Sequence, residues 1–366
     1  MQQGERKTLG AFLGVYTPTI LTILGVIMYL RFGWIVGNYG LGKTILIALL
    51  ANSITLITTL SFSSMATNMK VGAGGAYFII SRSLGLGVGA AVGIPLFLSQ
   101  ALSVTLYSFG LAESLRIVWP NVPLDWVTLV LIALATVVSA YGAKFALKTQ
   151  IPLLILVGVS IAALAYGALA GNREVMLPLH DGPHNSDFWY GFALFFPAVT
   201  GVMAGLSLSG DLKEPGRAIP LGAIAATVTG LIVYLLVPWL LSEGARPEEL
   251  RSDPLIWLTI APFGVALVLP GLWGAIFSSA VGSGLGAPRT LQSILADQFS
   301  NLRMRAWLKS ARGERIALVI SSLIAISAVG LGNLNAVAQV VSMFFLTIYG
   351  TVNFAAGLEA LSGDTS

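Results

Sequence analysis

The chain has 366 residues, of which 56% are hydrophobic and only 10% are charged, and its formal net charge is +4. A soluble domain carries about 25% charged residues, so this composition excludes a soluble enzyme, a nucleic-acid-binding module and a disordered protein. The sequence has no cysteine, and its two histidines, His180 and His184, share one polar loop. Disulfides and thiolate metal sites are therefore excluded, and we expect no histidine metal site, proton relay or cofactor.

Ten segments are apolar and long enough to cross a bilayer as helices, which requires about 20 residues. The first continues too far to be a signal peptide. We number the predicted spans helix 1 to helix 10 in chain order: 12–37, 44–67, 86–117, 124–143, 149–170, 188–210, 218–242, 268–291, 315–333 and 335–360. The shorter apolar segment 254–267 is predicted to be a loop or an interfacial helix. The glycine-rich residues 72–75 lack the spacing of a phosphate-binding loop and are predicted to form a tight loop.

The basic residues predict the orientation in the membrane. With the N-terminus in the cytoplasm, fourteen of the 20 Lys and Arg residues lie inside, as the positive-inside rule requires. The other six lie outside: Arg31, Lys43, Arg116, Arg173, Arg246 and Arg251. The sequence thus predicts a multi-pass membrane protein with a cytoplasmic N-terminus, and we expect it in the plasma membrane.

Ten helices divide into five and five, and an odd number in each half gives the two halves opposite orientations. Helix 1 contains Pro18 and Gly25, and helix 6 contains Pro197 and Gly201. Interruptions by Gly or Pro at matching places in two halves indicate a transporter binding site. The alternative is that these residues only kink the helices, since both are common in membrane helices.

A broken helix exposes carbonyl groups that suit a cation and amide groups that suit an anion. The membrane parts of helices 1, 6 and 8 contain no Asp, Glu or His, so a proton-coupled carrier is not expected. A bound cation would rely on carbonyl groups, Thr and Ser hydroxyls and Tyr107. Because no carboxylate would balance that cation, an accompanying anion is expected, which favours salt cotransport.

Two pairs of side chains allow alternative interpretations. Ser278 and Ser279 in helix 8 are either sodium ligands or small residues that permit close helix packing. Arg31 and Glu113, near the outer ends of helices 1 and 3, either form an ion pair that closes the outer side or are independent charges that reach toward the interface.

Six motifs, from about residue 10 to residue 360, carry a family resemblance: 23–37, 66–68, 74–85, 195–201, 209–213 and 286–289. They resemble the cation–chloride cotransporters, in particular the sodium–potassium–chloride type, of the amino acid–polyamine–organocation superfamily. The resemblance implies an all-α integral membrane fold of the LeuT type, with discontinuous helices 1 and 6. It implies a 5+5 inverted repeat (10–170 and 188–360) in a single transport domain, 1–366. Family members usually have twelve helices and a cytosolic C-terminal domain, which we do not expect in this chain.

The resemblance also implies the ion sites and an outer gate formed by Arg31 and Glu113. The potassium ligands fall on Thr22, Ile23, Tyr107, Pro197 and Thr200. The family usually has Asn at the position of Thr22. The chloride ligands fall on Gly25, Val26 and Ile27, and on Gly201, Val202, Met203 and Tyr349. The sodium ligands fall on Leu21, Leu24, Ala275, Ser278 and Ser279. The paired serines resemble the sodium-dependent branch.

The expected function is therefore secondary active, electroneutral symport of sodium and/or potassium with chloride by alternating access. The alternatives are a potassium–chloride or sodium–chloride symporter, a sodium-coupled amino acid transporter of the same fold, and a non-transporting membrane subunit. The expected partners are inorganic ions and the lipid bilayer, without nucleic acid, and a homodimer is left open. The chain is not expected to be an enzyme.

Overall fold

A computed structural model describes residues 9–68, 75–83, 85–170, 187–298, 301–308 and 310–362. In these ranges the elements are helices, joined by short connections and one isolated parallel bridge between Leu9 and Leu212. Nine of the described helices are long and apolar enough to cross a membrane, and Leu124–Ala140 is a shorter tenth. The loop with His180 and His184 and the glycine-rich residues 72–74 lie outside the described residues.

The helix bounds are as follows. Helix 1 consists of a π-helical turn, Phe12–Tyr16, a first half, Thr17–Ile23, and a second half, Val26–Leu30, which leads through Arg31 into the run Phe32–Thr67. Helix 2 is the part of that run after Gly40. Helices 3, 4 and 5 are Gly85–Ser114, Leu124–Ala140 and Ala143–Ala170. Helix 6 consists of Phe188–Phe195, a 3₁₀ turn, Phe196–Val199, and a second half, Val202–Leu206. Helices 7 to 10 are Pro215–Gly244, Gly264–Gln298, Ala311–Ser327 and Leu334–Ser362. Four shorter helices lie between them: Gly75–Ser83, Pro247–Ser252, Ile256–Ile260 and Leu302–Leu308.

Several bounds differ from the predicted ones. The loop predicted between helices 1 and 2 is replaced by one residue, Gly40, with φ 74° and ψ 168°, a conformation that glycine adopts without steric cost. Residues 75–83, between helices 2 and 3, form a short helix that the sequence did not predict. Helix 5 begins at Ala143 and helix 8 spans Gly264–Gln298, because helical hydrogen bonding continues beyond the apolar window that hydropathy detects.

The segment 254–267 is neither a simple loop nor an interfacial helix. It contains the short helix Ile256–Ile260, on which Trp257 is fully buried, and its residues 264–267 begin helix 8. The indole packs on the ring of Tyr29 in helix 1, with ring centroids 4.7 Å apart. Through Trp257, this segment therefore packs on the second half of helix 1 in the interior of the protein.

Helices 1 and 6 lie at the centre of the bundle. In the most apolar 18-residue stretch of each, 89% of the stretch is buried inside the protein, compared with 28% for helices 5 and 9. The outer helices instead expose large apolar side chains, such as Trp126, Val130, Tyr166 and Leu323. Apolar surface of this kind is stable against lipid tails. The chain is therefore a multi-pass membrane protein.

The two central helices are broken at corresponding places. Helix 1 is interrupted at Leu24 and Gly25, and helix 6 at Thr200 and Gly201. Each break lies in the first helix of a five-helix half, and the odd number of crossings inverts one half relative to the other. The fold is thus an all-α 5+5 inverted repeat with discontinuous helices 1 and 6.

Candidate functional site

The break in helix 1 is a sharp turn at Leu24 and Gly25, and Gly25 contributes no side chain to it. Leu24 has φ −81° and ψ 46°, and Gly25 has φ −106° and ψ −142°. A Cβ atom at Gly25 would lie 2.9 Å from the Thr22 carbonyl oxygen, so a larger residue would displace the backbone at this point. The turn separates the last carbonyl groups of the first half from the first amide groups of the second half.

The break in helix 6 packs directly on helix 1. A Cβ atom at Gly201 would lie 2.7 Å from the Thr19 carbonyl oxygen and 2.9 Å from the Ile23 nitrogen. Only a residue without a side chain lets the two backbones approach so closely. The two breaks are consequently adjacent in space, although they are far apart in the sequence.

A small cavity with both polar and apolar lining residues lies beside the two breaks. Its lining residues come from helices 1, 3, 6, 8 and 10: Thr22, Gln100, Ser103, Tyr107, Thr200, Met203, Ala204, Ser207, Gly282, Ser283 and Phe345. Its volume of about 20 Å³ is sufficient for a water molecule or an ion of similar size. Hydroxyl and amide groups supply its polar surface, and none of these residues is charged.

Three of the five predicted potassium ligands line this cavity, namely Thr22, Tyr107 and Thr200. The Thr200 hydroxyl donates to the carbonyl oxygen of Pro197 at 2.8 Å, so the two predicted helix 6 ligands are neighbours. The Thr22 hydroxyl donates to the Pro18 carbonyl oxygen at 2.8 Å. The Ile23 carbonyl oxygen accepts a hydrogen bond from the Tyr234 hydroxyl of helix 7.

The predicted sodium ligands of helices 1 and 8 also meet. The Ser279 hydroxyl lies 2.8 Å from the Ala275 carbonyl oxygen and 3.5 Å from the Leu21 carbonyl oxygen. Leu24 is buried in the adjoining turn, and Ser278 is half-buried. Ser279 thus joins the two helices, an arrangement compatible with both interpretations of the serine pair.

The predicted chloride ligands begin the second halves of the broken helices. Gly25, Val26 and Ile27 open the second half of helix 1. Gly201, Val202 and Met203 do so in helix 6, where the Met203 amide donates to the Thr200 carbonyl oxygen at 3.4 Å. The buried Tyr349 hydroxyl donates to the same Thr200 carbonyl oxygen at 3.3 Å. The tyrosine therefore lies beside the helix 6 break.

Arg31 and Glu113 are in contact at one end of the site. The guanidinium Nη2 lies 2.9 Å and 2.8 Å from the two carboxylate oxygens, and both side chains are largely buried. Arg31 Nε also donates to the side-chain oxygen of Asn335, at the start of helix 10. Sequence reasoning missed Asn335, since a polar residue at a helix start has no distinguishing pattern.

A second polar cluster joins helices 3, 6 and 8 at the other end. Gln100 accepts from the Thr290 hydroxyl at 2.9 Å and donates to Ser207 at 3.5 Å. Arg289 donates to the Ser207 carbonyl oxygen at 3.0 Å and to Asp211 at 3.4 Å. Gln100 was not predicted, although an amide side chain inside an apolar helix is a signal of function.

Comparison with known proteins identifies the family. A family model described as "Amino acid permease" matches residues 14–356. The chain belongs to the amino acid permease family. Over 96% of its length it is 32% identical to "Solute carrier family 12 member 8" of Mus musculus, of which it covers 52%. It is 31% identical to "Cation-chloride cotransporter 2" of Oryza sativa subsp. japonica, over 95% of this chain and 41% of that protein. It is 28% identical to "Solute carrier family 12 member 1" of Homo sapiens, over 93% of this chain and 37% of that protein.

These similarities confirm the resemblance to the cation–chloride cotransporters across nearly the whole of this permease-family chain. The chain spans about half the length of these relatives or less. Their names describe transporters rather than enzymes.

A solved structure of a Na⁺-coupled sialic acid symporter, in a substrate-bound outward-open state, superimposes with a TM-score of 0.63. The match covers 88% of this chain and 74% of the symporter, at 11% sequence identity. At this identity the likeness concerns the fold alone, and it confirms the LeuT-type architecture of this family member.

Proposed function

We propose that the chain is a secondary active, electroneutral symporter that moves sodium and/or potassium together with chloride by alternating access. The observation that carries the proposal is the uncharged cavity beside two broken helices, where the hydroxyl-bearing residues Thr22, Tyr107 and Thr200 meet. The names of the similar cation–chloride cotransporters support the same class of substrate.

In the proposed potassium site, the ligands are the carbonyl groups of Thr22, Ile23 and Pro197 and the hydroxyl groups of Tyr107 and Thr200. Neutral oxygens are the ligands that a hard cation accepts. A cation bound there without a counter-charge would be costly to bury. Chloride at the amide groups of the broken helices would supply that charge, since helix N-termini favour anions.

The proposed sodium site uses the carbonyl groups of Leu21, Leu24 and Ala275 with the hydroxyl groups of Ser278 and Ser279. The contact of Ser279 with the Leu21 carbonyl oxygen brings the proposed ligands of helices 1 and 8 together. The two proposed chloride sites are Gly25, Val26 and Ile27, and Gly201, Val202 and Met203 with Tyr349. Joint transport of both signs of charge avoids the membrane-potential term of about 2.3 kcal/mol per charge per 100 mV.

The proposed transport cycle uses the two repeats, residues 10–170 and 188–360, as one transport domain. Helices 1, 2, 6 and 7 rock against helices 3, 4, 8 and 9 around the fixed site. Arg31 and Glu113 act as the gate on the outer side. In this scheme the N-terminus lies in the cytoplasm and the protein resides in the plasma membrane. A homodimer is compatible with this scheme.

The test is rubidium uptake into proteoliposomes that contain the purified chain, with sodium and chloride removed one at a time. Rubidium replaces potassium as the tracer. Uptake that requires both ions supports sodium–potassium–chloride symport, whereas uptake that requires chloride alone indicates a potassium–chloride carrier. Chloride-dependent sodium uptake without rubidium uptake indicates a sodium–chloride carrier. Absence of all three in folded protein contradicts the proposal and favours a non-transporting subunit.

The family description favours amino acid transport as a second candidate. The cavity is small in this structure, and helix 1 has one glycine at its break, which leaves little room for a substrate carboxylate. Thermal stabilisation of the purified protein by amino acids, in the presence of sodium, would support this candidate.

A further inference from the structure

Tyr234 in helix 7 is a polar residue at the site that neither the motifs nor the cavity lining identified. Its side chain is fully buried, and its hydroxyl donates to the carbonyl oxygen of Ile23, the last residue of the first half of helix 1. This carbonyl group is one of the proposed potassium ligands. In the structure it is therefore occupied by a hydrogen-bond donor from another helix.

Helix 7 is held against this point by its packing. A Cβ atom at Gly230, one helical turn before Tyr234, would lie 2.7 Å from the Ile23 side chain. The Tyr234 ring makes edge contacts with Phe32 and Phe195, at centroid distances of 5.4 Å and 5.1 Å. The ring position is thus fixed by helices 1, 6 and 7 independently of the hydroxyl hydrogen bond.

The hydroxyl and a bound cation place positive charge at the same oxygen. A carbonyl oxygen has two lone pairs, but the positively charged hydrogen of a donor and a cation repel each other there. Among the described residues, Ile23 is absent from the lining of the cavity that Thr22, Tyr107 and Thr200 share. Its carbonyl group therefore has to turn from helix 7 toward the cavity before it can complete the proposed set of ligands.

We propose that Tyr234 is a positioning residue whose hydroxyl replaces the cation on the Ile23 carbonyl group in the unloaded protein and is displaced when the cation binds. This inference rests on the proposed function. The hydrogen bond satisfies a buried carbonyl group while the cation is absent, and buried polar groups without a partner are costly. Tyr234 thereby lowers the affinity for the cation and keeps its binding reversible.

The decisive variant is Tyr234→Phe, which removes the hydroxyl and keeps the ring between Phe32 and Phe195. Without the competing donor, the half-saturating rubidium concentration in proteoliposomes should fall about two- to tenfold, the range that corresponds to one net hydrogen bond. The matched control is Tyr29→Phe. Tyr29 is also a fully buried tyrosine, but its hydroxyl pairs with Ser160 rather than with the break, so rubidium half-saturation should change less than twofold.

Thermal unfolding of the purified variants provides a second measurement. Tyr234→Phe should melt at a lower temperature than the wild type without potassium, and potassium should raise its melting temperature by more than it raises that of the wild type. A half-saturating rubidium concentration that is unchanged or higher in Tyr234→Phe, in a wild-type background that transports rubidium, overturns the inference alone. A wild type that neither transports rubidium nor is stabilised by potassium overturns the proposed potassium site and this inference together.

Discussion

Tyr107 and Tyr349 are two buried tyrosines beside the helix 6 break, and the proposal gives them different ions. Tyr107 lines the cavity, whereas Tyr349 donates to the Thr200 carbonyl oxygen beside the helix 6 amide groups. Substitution by phenylalanine removes only the hydroxyl group. Because the two tyrosines are similarly buried, the two variants can be compared directly. The two variants therefore distinguish an effect on cation binding from an effect on chloride binding.

We expect Tyr107→Phe to raise the half-saturating rubidium concentration roughly 10- to 100-fold, since a polar group that faces a charge contributes about 1.5–3 kcal/mol. The half-saturating chloride concentration should change less. Uptake measured against each ion in turn provides the comparison. Tyr349→Phe is the control and should show the reverse ranking; if both variants rank alike, the assignment of the two tyrosines is wrong.

The serine pair in helix 8 gives a second prediction for single residues. Ser279 contacts helix 1 through the Leu21 carbonyl oxygen, whereas Ser278 is half-buried. We expect Ser279→Ala with Ser278→Ala to abolish the sodium dependence of rubidium uptake, with the larger share due to Ser279. Uptake at varied sodium concentration measures this. If the double variant keeps its sodium dependence, the serines serve only in packing, because alanine is also a small residue.

At the scale of helices, the contact of Arg31 with Glu113 and Asn335 ties helices 1, 3 and 10 together at one end of the site. A hydrogen bond between an arginine and a carboxylate is charge-assisted and stronger than one between neutral groups. Removal of one partner leaves a buried charge without compensation, which costs about 3–5 kcal/mol when burial is complete. A lower cost applies to this pair because both side chains retain some exposure.

We expect Glu113→Gln to lower the melting temperature and to open the proposed outer gate. The chain has no cysteine, so Ser103→Cys, on the cavity wall, is a single labelling site without further changes. A membrane-impermeant thiol reagent on the predicted outer side should label this cysteine at least several-fold faster in Glu113→Gln. The same cysteine with Glu113 intact is the control, and equal labelling rates would show that the pair does not limit access.

At the scale of the whole molecule, large apolar side chains lie on the outer surface as well as in the interior. Helices 1 and 6 form the interior, while helices 4, 5 and 9 expose large apolar side chains. This arrangement follows from the solvent, because lipid tails are as apolar as the side chains they touch. The direction of the bundle across the membrane then depends on the basic residues of the connections.

The orientation predicts opposite labelling of two exposed polar positions, Ser252 between helices 7 and 8 and Asn301 between helices 8 and 9. In intact cells, Ser252→Cys should react with an impermeant thiol reagent. Asn301→Cys should react only after the membrane is permeabilised. The reverse pattern would place the N-terminus outside the cell and the proposed outer gate on the cytoplasmic side.

The sequence by itself determined the class of protein, the ten spans and the two breaks. The low charge content and the length of the apolar runs show directly that lipid surrounds most of the chain. Glycine at positions 25 and 201 marks places where only a residue without a side chain fits. The motifs carried the resemblance, and with it the LeuT-type fold. Helix ends were less accurate, as at Ala143 and Gly264, because backbone hydrogen bonding does not stop where hydropathy falls.

The tertiary structure alone decided which groups meet. Arg31 and Glu113 were two charges with alternative explanations until the fold brought them to 2.8 Å. Asn335 and Tyr234 received no role from their local sequence, since a contact between distant helices leaves no periodic pattern. Spans and breaks depend on local composition and backbone geometry, whereas the partner of the Ile23 carbonyl group depends on how helix 7 packs against helix 1.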